Sequence, residues 1–455
     1  MSLLDTGAVN VVVVGAGLAG LTAAHELVAD GHQVTVLESS PDVGGKLRRA
    51  EVGGVVVDVG AEAMLNRRPE GVVLARSLGL EVVHPAVTRS SLWTRGELRP
   101  LPRSLMGVPL DLDELRSSGV LSDEGLARAE DEQAGVGLDE DVSVGELVAS
   151  RLGDEVVDRL VEPLLGGVYA GHAHRLSARA TVPQLVATAR LGRLLDAELP
   201  PISTPVFAGL PGGMGRLVEA LASGLAVRTN ATVRELRRTP SGFALVVGPA
   251  ASPEELTADA VVLATPAPPS ARLLAEVAPV AAAALAEVEY ASMAVVTLAF
   301  PAAAVDHVAD TSGFLVPPVD GRSIKASTFS FAKWAWVREA GAADGVVHLR
   351  TSLGRHGEEA LLQRSDEELV ALSLADLSEA VGITTPPVAD HVQRWGGGLP
   401  QYAVGHLDRV ARIRAAVDAV PGLAVCGAAY DGVGVPAVIG SARRAVADVT
   451  RSASS

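Results

Sequence analysis

The N-terminal sequence VVVVGAGLAG, an apolar run that leads directly into a glycine-rich turn, constrains the fold more than any other part of the chain. The run at residues 9–14 is short and β-branched, which predicts a buried parallel strand. At the spacing G-x-G-x-x-G, Gly15 permits a tight turn, Gly17 lets the backbone approach a pyrophosphate, and Gly20 lets a helix pack on the strand. The predicted helix at residues 21–30 then offers free N–H groups and the positive end of its dipole to the phosphates.

A second predicted strand, at residues 33–37, ends at Glu38, which lies about 20 residues after the glycine motif. A carboxylate at this place accepts hydrogen bonds from a ribose 2′-OH and repels a 2′-phosphate, so NADP is disfavoured. A glycine-rich turn in an ordinary βαβ unit is the alternative, but strand, helix, second strand and acidic residue follow one another in the order that dinucleotide binding requires. The cofactor contacts predicted from this unit are Gly15, Ala16, Gly17, Leu18, Ala19, Gly20, Glu38 and Ser39.

The residues after Glu38 favour FAD over NAD. The motif GGK at residues 44–46 lets the backbone lie against a long extended cofactor and adds a positive charge for its pyrophosphate, although the two glycines alone would indicate only a turn. This extension resembles flavoproteins of the amine oxidase and protoporphyrinogen oxidase superfamily. The loop GAEA at residues 60–63 follows a predicted strand at residues 55–59, as the second flavin-contacting loop of that superfamily does. The resemblance therefore adds Gly45, Lys46, Gly60, Ala61, Glu62 and Ala63 to the expected FAD contacts.

The C-terminal sequence LAVCGAAYDGVGVPAVIG predicts another unit of strand, glycines and helix. A strand at residues 423–426 meets a glycine, and GVGVP at residues 432–436 opens a final helix whose N-terminus can bind an anion or a ring. In the same superfamily this closing helix points at the flavin, so the site is built from both chain ends and the fold is intertwined. The contacts implied here are Gly427, Val433, Gly434 and Val435.

Composition limits the other possibilities. The chain has 455 residues, enough for two or three domains, and its net charge of −16 argues against a nucleic-acid partner. The single cysteine, Cys426, excludes internal disulfides, Cys-ligated iron–sulfur clusters and CxxC redox chemistry. The start, MSLLDTGAVN, lacks a basic n-region, and no apolar stretch reaches about 18 residues. We therefore expect neither a signal peptide nor a transmembrane segment.

We expect an α/β (α+β mixed) fold in three parts. A Rossmann-like FAD-binding domain, discontinuous in sequence, is predicted at residues 1–75, 206–285 and 405–455. Residues 76–98 and 286–404 alternate strand and helix patterns and predict a mixed-sheet substrate-binding domain. Residues 99–205 are rich in Leu, Arg, Asp and Glu at helical spacing and predict a helical subdomain.

With these pieces in place, the chain resembles bacterial porphyrinogen-oxidising flavoproteins, the oxygen-dependent protoporphyrinogen and coproporphyrinogen oxidases of haem synthesis. The resemblance runs nearly end to end. Its most discriminating segment is LVEPLLGGVYAGHAHRLSARA at residues 160–180, because monoamine oxidases and carotene desaturases lack the GVYAG motif. The segments SGFLVP at residues 312–317 and PQYAVGH at residues 400–406 are similar to the Gram-positive branch, which oxidises coproporphyrinogen III.

The resemblance implies a six-electron oxidation of coproporphyrinogen III to coproporphyrin III over three flavin cycles, with O₂ as acceptor and H₂O₂ as product. An O₂ acceptor also fits the sequence, which contains no second strand–GxGxxG–helix unit for a nicotinamide cofactor. Glu62 is the candidate catalytic residue, either as a proton acceptor or as an orienting group. A carboxylate that caps the following helix is the alternative for Glu62.

A porphyrinogen carries propionates, so cations are expected around it. Arg67 and Arg68 follow the GAEA loop, and Arg89 lies near the place where the family keeps a propionate-binding Arg, with Ser90 as the alternative there. Lys333 is a further candidate, and a solvated surface charge is the alternative for each cation.

The resemblance also implies apolar contacts. Val233 would offer its backbone to the adenine, and Trp395 would lie near the flavin ring. Ordinary core packing is the alternative for Trp395 and for the residues expected to wall the substrate site, which are Gly167, Tyr169, Gly313, Phe314 and Leu315.

No metal site is expected, since the H-x-H pair of His172 and His174 lacks an accompanying Cys or carboxylate cluster. Three other functions stay open: a preference for protoporphyrinogen IX, an amine oxidase or desaturase activity, and a non-catalytic tetrapyrrole-binding role. We expect a cytoplasmic protein. Peripheral contact with the membrane and contact with neighbouring enzymes of haem synthesis are left open.

Overall fold

The computed structural model describes residues 8–133, 137–197 and 204–453. The expectation of no signal peptide rests largely on residues 1–7, which lie outside the described residues. The strands are β1 Asn10–Val14, β2 Gln33–Leu37, β3 Arg49–Val52, β4 Val55–Asp58, β5 Met64–Leu65, β6 Ser91–Thr94, β7 Glu97–Pro100, β8 Ser104–Leu105, β9 Val108–Pro109, β10 Phe207–Ala208, β11 Ala226–Arg228, β12 Val233–Thr239, β13 Gly242–Val247, β14 Glu254–Ala258, β15 Ala260–Leu263, β16 Tyr290–Pro301, β17 Gly313–Leu315, β18 Ile324–Thr328, β19 Val346–Leu353, β20 Ala389–Pro400 and β21 Leu423–Val425.

Within the described ranges, seven consecutive helices, α3 to α9, follow β9, and a π-helical turn at Val157–Val161 joins α6 to α7. The α-helices are α1 Leu18–Ala29, α2 Pro69–Ser77, α3 Leu112–Ser118, α4 Asp123–Glu130, α5 Val144–Leu152, α6 Asp154–Val156, α7 Glu162–Tyr169, α8 Ala178–Thr181, α9 Pro183–Leu191, α10 Gly215–Ala222, α11 Ala267–Leu274, α12 Pro279–Ala286, α13 Ser330–Lys333, α14 Ala335–Ala340, α15 Asp366–Val381, α16 His406–Asp418 and α17 Val435–Ala453.

A five-stranded parallel sheet lies at the centre of the fold, in the order β11-β2-β1-β15-β21. Its strands come from three separate stretches of the chain, and the last of them lies near the C-terminus. Alternate residues of β1 face opposite layers: Val11 and Val13 pack with α1 and α17, whereas Val12 and Val14 pack with α11, α12 and α16. Both faces are covered, which explains why the strand reads as an unbroken apolar run.

The first helix begins at Leu18 rather than at residue 21 as predicted, with Gly17 as its N-cap. Gly20 therefore lies in the first helical turn. A Cβ atom on Gly20 would lie 1.8 Å from the carbonyl oxygen of Gly15, so only glycine fits. The glycine motif thus holds α1 tightly against the turn that follows β1.

The second sheet is mixed and has the order β20-β16-β19-β18-β17-β6-β7. Its neighbouring strands are antiparallel except β17 and β6, which are parallel. One face packs against α15, where Phe314 and Leu377 share an apolar core. The other face meets the helical layer through Leu92 and Leu315.

The helical layer is held by its own apolar core and by polar N-caps. Side-chain oxygens accept hydrogen bonds from backbone N–H groups at the starts of α3, α4, α5 and α8. The capping residues are Asp111, Ser122, Ser143 and Ser177.

The two sheets and the helical layer confirm the mixed α/β class with a Rossmann-like sheet. The division into three domains with the stated boundaries stays a proposal. Within the part of the chain that the structure describes, no helix is both long enough and apolar enough to cross a membrane.

We predict that Gly20→Ala destabilises the protein by on the order of 3 kcal/mol, because the new methyl group must displace a backbone carbonyl. Gly192→Ala is the control, since a Cβ there would meet no described atom within 4 Å. Urea unfolding in the presence of excess FAD measures both. Equal stability of the two variants would contradict the close approach of α1 to the glycine turn.

Candidate functional site

A cavity of about 690 Å³ opens at the carboxyl ends of the parallel strands, between this sheet and β20. Open α/β sheets bind their ligands at this edge, where neighbouring crossovers leave the sheet in opposite directions. Fourteen of the predicted cofactor contacts line it: Gly15, Gly17, Leu18, Ala19, Glu38, Ser39, Gly45, Lys46, Ala61, Val233, Trp395, Gly427, Val433 and Val435.

The glycine turn leaves free space where a pyrophosphate is expected. Gly15 has a φ of 105° and donates its N–H to the carbonyl of Leu37 at 2.8 Å, which closes the turn. A Cβ on Gly17 would meet no described atom within 4 Å, so nothing in the protein itself requires glycine there. No described side chain caps the N-terminus of α1, which therefore presents its N–H groups to the cavity. The residues present fit a bound dinucleotide.

The GGK segment packs directly against this turn. Gly44 donates its N–H to the carbonyl of Ala16 at 2.8 Å, and a Cβ on Gly45 would lie 3.3 Å from the Cα of Gly17. Lys46 extends along the cavity wall, where desolvation lowers the pKa of its ammonium group. An anionic group in the cavity would offset this cost, as a pyrophosphate would.

Glu38 is held in a fixed orientation at the cavity wall. Its Oε2 accepts a hydrogen bond from the N–H of Ala16 at 2.8 Å, and its Oε1 accepts one from the N–H of Ser40 at 2.8 Å. An ionised carboxylate can accept about four hydrogen bonds, so acceptor capacity remains for the hydroxyls of a ribose.

The opposite end of the cavity is formed by the end of β20 and by Tyr290. The hydroxyl of Tyr290 accepts a hydrogen bond from the N–H of Ala267 at 2.8 Å, and burial raises its pKa to about 12, so the ring stays neutral. Of the run RWGGGLP, only Trp395 is among the contacts predicted from the sequence, although the three glycines of the run indicate a close approach of the backbone. The lining residues that it missed include Arg272, Tyr290, Gly396, Gly397, Gly398 and Pro400.

Six predicted contacts do not line the cavity. Ala16 and Gly20 are buried in the turn, and Gly60 packs so closely that its Cβ would lie 2.1 Å from the carbonyl oxygen of Lys46. The others are Glu62, Ala63 and Gly434.

Glu62 lies behind the loop that lines the cavity, between two cations from the second sheet. Its Oε1 is 2.8 Å from the Nζ of Lys333, and its Oε2 is 3.2 Å from Nη2 of Arg350. Ser330 donates its hydroxyl to the same Oε2 at 2.9 Å. Although burial opposes ionisation, the two cations and the hydrogen bonds lower the pKa of Glu62 to about 2. A carboxylate this acidic is a poor proton acceptor, so the geometry favours the orienting role over the acid–base role.

Three of the four cations predicted to bind propionates are already in ion pairs. Lys333 pairs with Glu62 as described, Arg68 pairs with Glu70 at 2.5 Å, and Arg89 pairs with Asp310 at the surface. Arg67 is exposed and forms no hydrogen bond or ion pair with any described residue. Lys333 and Arg89 pair with residues that are distant in the sequence, and Arg68 pairs with a residue two positions later. The sequence motifs alone could not reveal these ion pairs.

Phe314 and Leu315, two of the residues expected to wall the substrate site, point to opposite sides of β17. The ring of Phe314 is buried in the sheet core, 6.0 Å from Trp93 and 6.1 Å from Phe329 between ring centroids. Leu315 points the other way, and a Cβ on Gly167 would lie 3.9 Å from it. Of the GFL segment, Leu315 therefore lies on the side of the strand that faces α7, whereas Phe314 lies in the core on the other side.

The end of α7 borders the far end of the cavity. The carbonyl of Tyr169 accepts a hydrogen bond from Nε2 of Gln401 at 2.8 Å, next to Pro400 in the cavity lining. The ring of Tyr169 packs 5.6 Å from that of Tyr402, and burial raises its pKa to about 12. Tyr169 is therefore a buried neutral support at this end.

The H-x-H pair has a structural partner. The Nε2 of His172 lies 2.8 Å from the carbonyl oxygen of His356 and joins α7 to the loop after β19. Among the described residues, no three His, Cys, Asp or Glu side chains are grouped to hold a metal ion.

Comparison with known proteins agrees with this geometry. Residues 18–450 match the family model of flavin containing amine oxidoreductases, and the chain belongs to this family. It is an FAD-dependent oxidase, since the family and the cavity both point to this cofactor and chemistry.

Particular relatives cover almost the whole chain. A coproporphyrinogen III oxidase of Mycobacterium bovis is 40% identical over 96% of each chain, and one of Bacillus subtilis is 31% identical over 98% of each. A crystal structure from Exiguobacterium sp. 255-15, provisionally named a protoporphyrinogen oxidase, has a TM-score of 0.86 at 30% identity and covers 98% of this chain and 99% of its own.

We predict that Gly17→Glu yields folded but colourless protein. The new side chain has room to leave the backbone, yet it places volume and negative charge where the pyrophosphate is expected. Absorbance of the purified protein gives the FAD content, and thermal unfolding shows that the fold is kept. Stoichiometric FAD in this variant would show that the pyrophosphate lies elsewhere.

We predict that Glu62→Gln destabilises the protein by about 3 kcal/mol at pH 7, because Lys333 and Arg350 would then be buried without their shared counter-charge. The parent's folded-state pKa at Glu62 is about 2 against an ordinary value of 4.5. Its contribution is therefore fully present above pH 4.5 and is lost as the pH falls toward 2. Urea unfolding at several pH values should show a smaller acid-induced loss in the variant, and identical pH profiles would refute the assignment.

Proposed function

We propose that this enzyme oxidises coproporphyrinogen III to coproporphyrin III in haem biosynthesis. Six hydrogen atoms leave the substrate, and three molecules of O₂ take them up as three molecules of H₂O₂. The supporting observation is that relatives from both Mycobacterium and Bacillus that carry the name coproporphyrinogen III oxidase match nearly the full length of the chain. A cytoplasmic location, with or without peripheral membrane contact, belongs to the same proposal, as do contacts with neighbouring enzymes of the pathway.

Bound FAD supplies the redox chemistry by accepting electrons in pairs and passing them to O₂. The protein's own groups bind and orient. The glycine turn and Lys46 would hold the phosphates, Glu38 would hold a ribose, and Trp395 would contact the reactive ring. Leu315 and Gly167 present small and apolar surfaces to a bulky tetrapyrrole and help to exclude water from the reaction.

The ionised Glu62 acts through position rather than by taking a proton. With Lys333 and Arg350 it fixes the loop whose Ala61 lines the cavity. Protons released from the pyrrole nitrogens and carbons of the substrate must then leave through solvent or through the substrate's own carboxylates.

Protoporphyrinogen IX is the second candidate substrate. It has two carboxylates where coproporphyrinogen III has four. Because Arg68, Arg89 and Lys333 are already paired, fewer free cations face a substrate than the sequence suggested, which favours the less charged molecule.

Parallel turnover of the two porphyrinogens decides between them. The expected result is faster porphyrin fluorescence with coproporphyrinogen III, H₂O₂ formed at three per porphyrin, and no stimulation by NAD⁺ or NADP⁺. Faster turnover of protoporphyrinogen IX would support the second candidate. Absence of turnover with both would leave the enzyme an FAD oxidase and overturn the porphyrinogen proposal.

We predict that Arg67→Ala raises KM for coproporphyrinogen III by about fivefold, which corresponds to the upper end of an exposed ion pair, and raises it less for protoporphyrinogen IX. The difference should shrink in high salt because screening weakens the attraction in the parent enzyme. Arg68→Ala is the matched control, since its charge is neutralised by Glu70. Equal effects of the two variants, or equal effects on both substrates, would exclude a propionate-binding role for Arg67.

A further inference from the structure

A small cavity lies behind the loop at residues 60–63, which we call the flavin loop, between β16, β19 and the helices α13 and α14. It measures about 10 Å³, close to the space that a single buried water needs. Four buried polar atoms of its lining have no hydrogen-bond partner among the described residues. They are Oγ1 of Thr297, Nε1 of Trp334, Nδ1 of His348 and Nε of Arg350.

The sheet register places Thr297, His348 and Arg350 together, and Trp334 reaches the same cavity from the junction of α13 and α14. Thr297 on β16 pairs directly with Arg350 on β19, and His348 lies two residues before Arg350 on the same face. Thr297, Trp334 and His348 are each at most 1% exposed. Leaving one such polar atom without a partner costs about 1–3 kcal/mol, so four together in one cavity require an explanation.

The four atoms form a matched set of donors and acceptors. The Nε2 of His348 lies 2.8 Å from the carbonyl oxygen of Val52, and a carbonyl can only accept, so Nε2 carries the hydrogen. Burial lowers the pKa of His348 and keeps the ring neutral, which leaves a lone pair on Nδ1. Trp334 and Arg350 can only donate, while Thr297 can do either. One water can accept hydrogen bonds from Nε1 of Trp334 and Nε of Arg350, and it can donate to Nδ1 of His348 and Oγ1 of Thr297.

We propose that this cavity binds one structural water molecule, which completes the hydrogen bonding of Arg350 and makes Arg350 the positioning residue of the flavin loop. The remaining nitrogens of this guanidinium hold that loop directly. Its Nη1 donates to the carbonyl of Gly60 at 2.6 Å and to that of Asp58 at 3.3 Å, and its Nη2 pairs with Glu62. The water fixes the inner edge of the guanidinium, and the outer edge fixes the loop whose Ala61 lines the FAD cavity.

Whether the substitution Thr297→Val raises or lowers Tm tests for the presence of the water. In a dry cavity, the hydroxyl of Thr297 is unsatisfied, so the isosteric Thr297→Val should leave Tm unchanged or raise it. With a bound water, the same substitution removes a partner and should lower the Tm of the holoenzyme by about 2 °C. Thr351→Val on the neighbouring strand β19 is the matched control, because it loses a direct 2.7 Å hydrogen bond to Ser373 and should also lower Tm.

A crystal structure of the holoenzyme gives the direct observation. One density peak within hydrogen-bond distance of Trp334 Nε1, Arg350 Nε and His348 Nδ1 is expected. An empty cavity, or a raised Tm for Thr297→Val, would overturn the proposal.

The rate at which FAD is released tests the positioning role of Arg350 separately. Arg350→Lys keeps the charge beside Glu62 but cannot reach both loop carbonyls and the water at once. We expect FAD to leave the diluted holoenzyme about ten times faster, followed by the rise in free flavin fluorescence, with a perturbed visible flavin spectrum before release. Arg322→Lys is the control, since that arginine lies in the loop before β18 and pairs with Glu379 on α15, away from the flavin loop. Release at the parent rate with an unchanged spectrum would show that Arg350 does not position the loop.

Discussion

The geometry of the site depends on the buried ion triad of Glu62, Lys333 and Arg350, which joins the loop that lines the FAD cavity to the mixed sheet. Glu62 belongs to the loop that lines the FAD cavity, whereas both cations belong to the second sheet and its adjoining helix. Charges at this depth are stable only when they are paired and hydrogen-bonded, so the loop has one low-energy place relative to that sheet. The triad therefore aligns the cavity wall with the surface on which a substrate would lie.

The cavity itself follows from the glycine constraints in the parallel sheet. Gly20 lets α1 approach the turn, and Gly17 leaves open space in front of the helix N-terminus. Because β21 and α17 come from the far end of the chain, the last strand and helix close the same cavity that the first strand and helix open. The site that the three N-terminal glycines begin is therefore complete only when the C-terminal strand and helix have also packed against it.

The sequence located most of the residues that line the cavity, because each of these signals is local: a strand end, a glycine without a Cβ, an acidic residue at fixed spacing. It predicted the substrate side less completely. The partners of Arg89 and Lys333 lie far away in sequence, and no motif records such pairing. The side chain of Phe314 faces the core because residues alternate along β17, and the phase of that alternation depends on tertiary contacts. The predicted start of α1 at residue 21 was wrong because Gly20 is helical and packs against the carbonyl of Gly15, a close approach that a glycine in sequence does not distinguish from a turn.

If the proposed function is right, the cavity holds FAD within reach of a porphyrinogen. The most direct test mixes the FAD-loaded enzyme with coproporphyrinogen III in the absence of O₂ and follows the visible absorption of the flavin. We expect the oxidised flavin band to bleach on mixing and to return when O₂ is admitted, with porphyrin formed as the flavin turns over. A band that stays unchanged with both coproporphyrinogen III and protoporphyrinogen IX would contradict the proposed function.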